Sequence, residues 1–173
     1  PLLDIIVLYD APVFWPVANA DTYTWKGVVG DWSNAANWTP AGVPSASDNA
    51  VISSGSVNLN AAVSITNLTM SGGSLIGNEN LVVNGQFDWT GGSLSGTGSL
   101  TVNGTLNISG TSTKTVGGKS LLLQGTGTWS NGNVSISAGV TFRVASGAIL
   151  NITHASTQSI GSAATGIFEN LGT

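Results

Sequence analysis

The sequence predicts an all-β chain wound as a parallel β-solenoid, and three observations carry that expectation. A unit of 19 residues repeats, apolar residues alternate over runs too short for helices, and Gly, Asn and Ser punctuate the chain every few positions. Residues 72–90 read GGSLIGNENLVVNGQFDWT and residues 91–109 read GGSLSGTGSLTVNGTLNIS, identical at nine of nineteen positions. Leu81 to Trp89 matches Leu121 to Trp129 at an offset of 40. LNISGTSTKTVGG from Leu106 matches LNITHASTQSIGS from Leu150 at an offset of 44, which places four extra residues in a loop between Trp129 and Leu150. No stretch holds a helical period with caps. Short strands and glycine turns in units of about 19–22 residues describe one coil each, stacked on the next at about 4.8 Å.

Stacking makes each repeat position a column. Met70, Trp89, Ile108, Trp129 and Ile152 form one inward column, with Trp and Ile alternating. Leu68, Phe87, Leu106 and Leu150 form its neighbour, with Gly127 in the matching slot. A third holds Val63, Leu81, Leu100 and Leu121, and a fourth Ile65, Val83, Val102 and Leu123. Thr69, Asp88, Asn107, Thr128 and Asn151 fall between inward residues and are expected to face solvent, because successive strand side chains alternate. Asn84, Asn103 and Gln124 share one position and predict an amide ladder.

Three regions follow in order. Residues 1–20 (PLLDIIVLYDAPVFWPVANA) are apolar and end in Ala-Asn-Ala, a small-x-small pattern like a signal-peptidase site. They lack a basic start, and Asp4 and Asp10 interrupt the apolar run, so a remnant of an export signal and an N-terminal strand both remain open. Residues 21–52 are a Trp-rich opening or capping segment with Trp25, Trp32 and Trp38 close together. Residues 53–173 are the solenoid coils. The last six residues begin another coil and stop, so the chain is expected to be a fragment of a longer reading frame.

Composition agrees with this architecture. Leu, Ile, Val and Phe number 46 of 173, enough apolar surface for a packed core, while charged residues are 7%. In a stacked array a charge sits over its own copy, and like charges directly opposite each other are destabilising by up to about 1 kcal/mol. Ser, Thr and Asn meet water without that penalty. Four Lys plus Arg against eight Asp plus Glu leave a net charge of -4, which lacks the basic footprint that nucleic acid needs. Zero Cys excludes disulfides and a thiol nucleophile. Beyond residue 20 no apolar run is long enough to span a membrane.

The opening segment, with Asn37-Trp38 followed by Pro44 and Asp48 ahead of a strand, resembles that of bacterial surface and secreted parallel β-helix proteins. These include autotransporter passengers and filamentous adhesin-like repeat proteins. The F-x-W-x-G-G run at Phe87–Gly92 and the F-x-N-x-G-T run at Phe168–Thr173 look like coil motifs of the same group. The resemblance spans nearly all of residues 21–173. It implies a right-handed, single-stranded parallel β-helix, exported to the cell surface or medium and outer-membrane-associated if autotransporter-like. It implies a scaffold, and says little about what that scaffold carries.

Two readings of Trp25, Trp32 and Trp38 stand beside each other. Flat amphipathic rings suit a sugar face, which makes them candidate ligand-stacking residues. The simpler reading is a cap that covers the first coil and blocks an open strand edge. Sites for chemistry are sparse. His154 is the sole His and aligns with Gly110 at a turn. Gly118-Lys119-Ser120 is like a phosphate loop, but its first glycine would be Thr113 and no helix follows. Acid-base hydrolysis needs converging carboxylates, and between Val51 and Thr173 the acids are Glu79, Asp88 and Glu169, with no second acid in the Asp88 column. Asp31 and Asp48 could serve as oxygen ligands, but the G-G units lack the aspartates of a calcium-binding nonapeptide roll. Nor do the Thr residues around 111–115 and 126–128 recur as a regular T-x-T array that would suit ice.

The sequence therefore leads to a non-catalytic, extracellular structural or adhesive solenoid segment without cofactor or metal. Its expected partner is a host or environmental surface or a polysaccharide. The alternative is a carbohydrate-active or carbohydrate-binding β-helix module whose site lies partly outside this stretch.

Overall fold

A computed structural model describes residues 20–153, 160–162 and 165–173. All but Ala20 of the expected signal or first strand, and His154, lie outside them. The chain is an all-β parallel solenoid of about five coils with 2% helix. Each coil from Asn49 onward contributes one short strand to each of three faces. The first face contains Asn49–Ile52, Asn67–Met70, Gln86–Trp89, Thr105–Ile108, Thr126–Trp129 and Ile149–Ile152, all parallel. The second runs from Val29–Asp31 to Ile160–Ser162 and the third from Val63–Ile65 to Ile167–Asn170.

The register is that of the repeat. Trp89 pairs with Met70 on one side and Ile108 on the other, Ile108 with Trp129, and Trp129 with Ile152. Phe87 pairs with Leu68 and Leu106, and Leu106 with Gly127. The two remaining columns extend further, Leu121 over Phe142 and Leu123 over Val144. All but one of these fill the interior, where Trp89, Phe87, Leu100 and Ile108 are inaccessible to solvent; Ile152, expected inward, is half exposed, because its strand is the last of the first face among the described residues. Phe87 stacks on Trp89 at 5.7 Å. Where Gly127 leaves the Phe87 column empty, Leu123 and Leu150 close in: a Cβ there would lie 2.9 and 2.7 Å from their methyls. Burial of this continuous apolar column at about 25 cal/mol per Å² is the main stabilising contribution.

The turns show why Asn-Gly and Gln-Gly recur. A Cβ on Gly104 would lie 2.0 Å from Gly85 O, and one on Gly125 would lie 1.9 Å from Gly104 O. Neither residue needs an unusual φ. Backbone packs on backbone at this corner, and any side chain would hold the coils apart. Asn84 and Asn103 of the expected amide ladder bond beside it: Asn103 Nδ2 donates to Asn84 Oδ1 at 2.9 Å, and Asn84 Nδ2 to Ser64 Oγ at 2.9 Å.

Two expectations about spacing need correction. The four extra residues do not form one loop. Seven positions separate Trp129 from Ile136 where five separate Trp89 from Leu94, and six separate Val144 from Leu150 where four separate Val102 from Leu106. The insertion is thus divided between two corners, so neither strand pairing is interrupted. The offset of 44 holds for Leu106 over Leu150 but fails beyond, because Ile160 pairs with Val134 and Val134 with Lys114 rather than continuing in step with Val116. The two Phe runs lie on different faces: Phe168 pairs with Phe142 on the third, whereas Phe87 belongs to the first.

Candidate functional site

The opening segment is built around its three tryptophans. Thr22–Trp25 pairs in parallel with Asn49–Ile52 and, on its other edge, antiparallel with Trp38–Thr39, so that Trp25 faces Trp38. This two-residue strand, followed by a cis Thr39–Pro40 bond, is the outermost of the first face. A short, proline-terminated edge is a poor template for further pairing. Trp25 and Trp32 each meet Trp38 edge to face, with centroids 4.9 and 4.8 Å apart. Trp38 Nε1 donates to Trp32 O at 2.8 Å and Trp25 Nε1 to Val28 O at 3.0 Å. The rings are 2%, 2% and 0% exposed for Trp25, Trp32 and Trp38. They present no face on which a sugar could stack, which corrects the platform reading: edge-to-face packing uses the ring surfaces internally.

Asp48 holds the loop that closes this segment. Its carboxylate accepts from Ser45 Oγ at 2.6 Å, Ser45 N–H at 2.8 Å and Asp21 N–H at 3.1 Å. Burial acts to raise its pKa, but these hydrogen bonds outweigh it and hold the carboxyl below the usual 3.8. Its lone pairs serve the loop. Asp31 accepts from Asn58 Nδ2 at 2.6 Å, so it too is engaged in coil-to-coil bonding.

Both mid-chain lysines are buried, which sequence reasoning missed. Lys114 pairs with Gly92 in the strand register, its Nζ lies where a side chain on Gly132 would stand, and it donates to Gly110 O at 2.8 Å and Asn131 O at 3.2 Å. Lys119 Nζ reaches Gly77 O at 3.2 Å and Glu79 O at 2.7 Å. Burial pushes both amines below their usual pKa, and for Lys119 the Glu79 charge partly opposes the shift. An amine committed to backbone carbonyls cannot meet a phosphate, so Gly118-Lys119-Ser120 is a coil corner. The signal for this role is a Lys at a position whose equivalents are Gly or apolar.

The outward side of the first face carries the polar concavity that can hold a ligand. It is about 290 Å³ and crosses four strands, with Thr22, Asn49, Asn67 and Gln86 in one row and Val51, Thr69 and Asp88 in the next. Asn67 Nδ2 donates to Asn49 Oδ1 at 2.7 Å, and Asn49 Nδ2 to Thr22 Oγ1 at 3.3 Å. Asp88 accepts from Gln86 Nε2 at 2.7 Å and from Asn107 Nδ2 at 2.8 Å. The sequence placed Thr69, Asp88 and Asn107 outward, as the structure does. It missed the companion row, because coil lengths before residue 68 depart from 19; the trace was a polar-x-polar pattern at 67–69, 86–88 and 105–107.

Among the described residues no group of three His, Cys, Asp or Glu could hold a metal ion, and no helix is long and apolar enough to cross a membrane. The fold is read from its own strand pairing: no protein-family model, curated protein or solved structure matches this chain.

Proposed function

We propose that this chain is a non-catalytic shaft of a bacterial surface or secreted protein, extracellular and engaged in adhesion to a host or environmental surface. The observation that supports this most is the outward surface. Ser56, Ser74, Ser93, Thr115 and Ser135 follow one another up the second face, and Ser99, Ser120 and Thr141 up the third. Such rows hold a shape and offer hydroxyls and amides over a continuous apolar core. Parallel stacking adds length without changing cross-section, which suits a stalk.

The engaged state of Asp88 and Glu169 supports leaving catalysis out. Both oxygens of Asp88 accept amide hydrogens, and Glu169 pairs with Arg143. A second reading, a carbohydrate-binding module, is favoured by the concavity of the first face alone. The shaft reading is tested by displaying the chain on bacteria through a surface anchor. The displayed chain should resist a broad-specificity protease and raise cell attachment to glass or epithelial cells above that of the anchor alone. Rapid digestion, or attachment equal to the anchor's, would overturn it.

A further inference from the structure

We infer that the concavity on the first face binds a neutral polysaccharide laid along the solenoid axis. This rests on the adhesive part of the reading above and names the ligand of that surface.

Charge narrows the choice of ligand first. Among the described residues Asp88 is the only ionisable group lining the concavity, and no Lys or Arg is in that lining. An anionic ligand would find no cation there and would meet a carboxylate. A metal ion needs several hard oxygens, and one carboxylate already bonded to two amides is a poor start. An apolar ligand would bury amides without partners, at about 1–3 kcal/mol for each unsatisfied group.

What remains is a ligand that both donates and accepts without net charge. A side-chain amide has two N–H donors and two acceptor lone pairs. Within the ladder Asn49 uses one N–H on Thr22 and one acceptor site for Asn67, so half its capacity stays available. Gln86 spends one N–H on Asp88. These bonds also fix the side chains, so little rotamer freedom is lost on binding. The polar rows run from coil to coil at about 4.8 Å, across the strands. A linear polymer whose hydroxyls recur along one edge can meet the same groups repeatedly, whereas a compact ligand meets them once. Val51 and the Thr69 methyl supply apolar contact for ring C–H groups.

The test uses the whole chain in native gels cast with soluble β-glucan, α-mannan or, as a charged comparison, polygalacturonate. At least one neutral glycan should retard the protein, with little change in 1 M NaCl. Asn67→Ala with Gln86→Ala should weaken retardation at least about tenfold, and Thr101→Ala on the third face should leave it unchanged. Thr69→Trp keeps every ladder bond and fills the space with bulk, and it should block binding equally while circular dichroism stays that of the parent. No retardation by either neutral glycan, retardation only by polygalacturonate, abolition by salt, or full binding by folded Thr69→Trp would each overturn the inference. Surface attachment that persists without glycan binding would sink this inference and leave the shaft reading standing.

Discussion

Replacing Gly104 by Ala tests whether the corner glycines are there for close approach or for turn flexibility. The added methyl carbon would lie 2.0 Å from Gly85 O and 2.8 Å from both Asn84 O and Gly85 C, all backbone atoms of the preceding coil. Backbone cannot rotate aside as a side chain can, so the two coils must part by roughly 1.4 Å to reach ordinary contact. Two hydrogen bonds flank the contact, Asn103 N–H to Val83 O at 2.9 Å and Thr105 N–H to Gly85 O at 2.8 Å. Weakening both removes about 1 kcal/mol each, and overpacking strain adds about 1–3 kcal/mol. The expected loss is about 3–5 kcal/mol, or a fall in Tm on the order of 10 °C for a chain of this size. Gly117→Ala is the comparison: its methyl would meet Leu94 O at 3.3 Å, which slight adjustment relieves, so the loss should stay below about 1 kcal/mol. Urea unfolding followed by far-UV circular dichroism measures both. Equal midpoints for the two variants would refute the close-approach argument.

Three further outcomes follow from the buried polar groups and the tryptophans. Because burial depresses the amines of Lys114 and Lys119 below 10.5, the unfolded chain binds their protons more tightly. Stability should therefore rise as pH climbs through the depressed values towards 10.5, and Lys114→Met with Lys119→Met should flatten that rise in urea midpoints; a parent curve no steeper than the variant's contradicts the assignment. Asp48 has the opposite sign: its contribution is complete above 3.8 and is lost as pH falls through its lower folded value, and Asp48→Ala should lose about 2–3 kcal/mol at neutral pH by thermal unfolding. In a Trp15→Phe chain the five remaining tryptophans are all buried, so emission should be blue-shifted and resist iodide; strong quenching would show open rings and revive sugar stacking on the opening segment.

How far the molecule could be read in advance depended on whether a feature repeats. Met70, Trp89, Ile108 and Trp129 were placed correctly because in-register parallel pairing converts equal sequence positions into contact, and 19-residue spacing is visible without any structure. The opening segment obeys no such rule. Thr22 pairs with Asn49 at a separation of 27, and the Trp25–Trp38 pairing is antiparallel. These arrangements come from one-off packing of three indoles, for which periodicity has no signal. The same limit hid half of the polar concavity, since its Thr22 and Asn49 belong to coils outside the regular period. It also hid Lys114 and Lys119: composition counts a lysine as surface, and only the glycines against their amines, Gly132 and Gly98, reveal the inward path.

Lys119 has a mechanical consequence. A solenoid whose coils touch only their neighbours should peel from an end one coil at a time under tension. Lys119 grips carbonyls of Gly77 and Glu79, two coils away, past the intervening corner at Gly96 and Gly98. It acts as a rivet through three layers. Force applied along the axis should therefore strip outer coils in small steps and then release the riveted layers together in one taller event, giving the shaft a toughened middle.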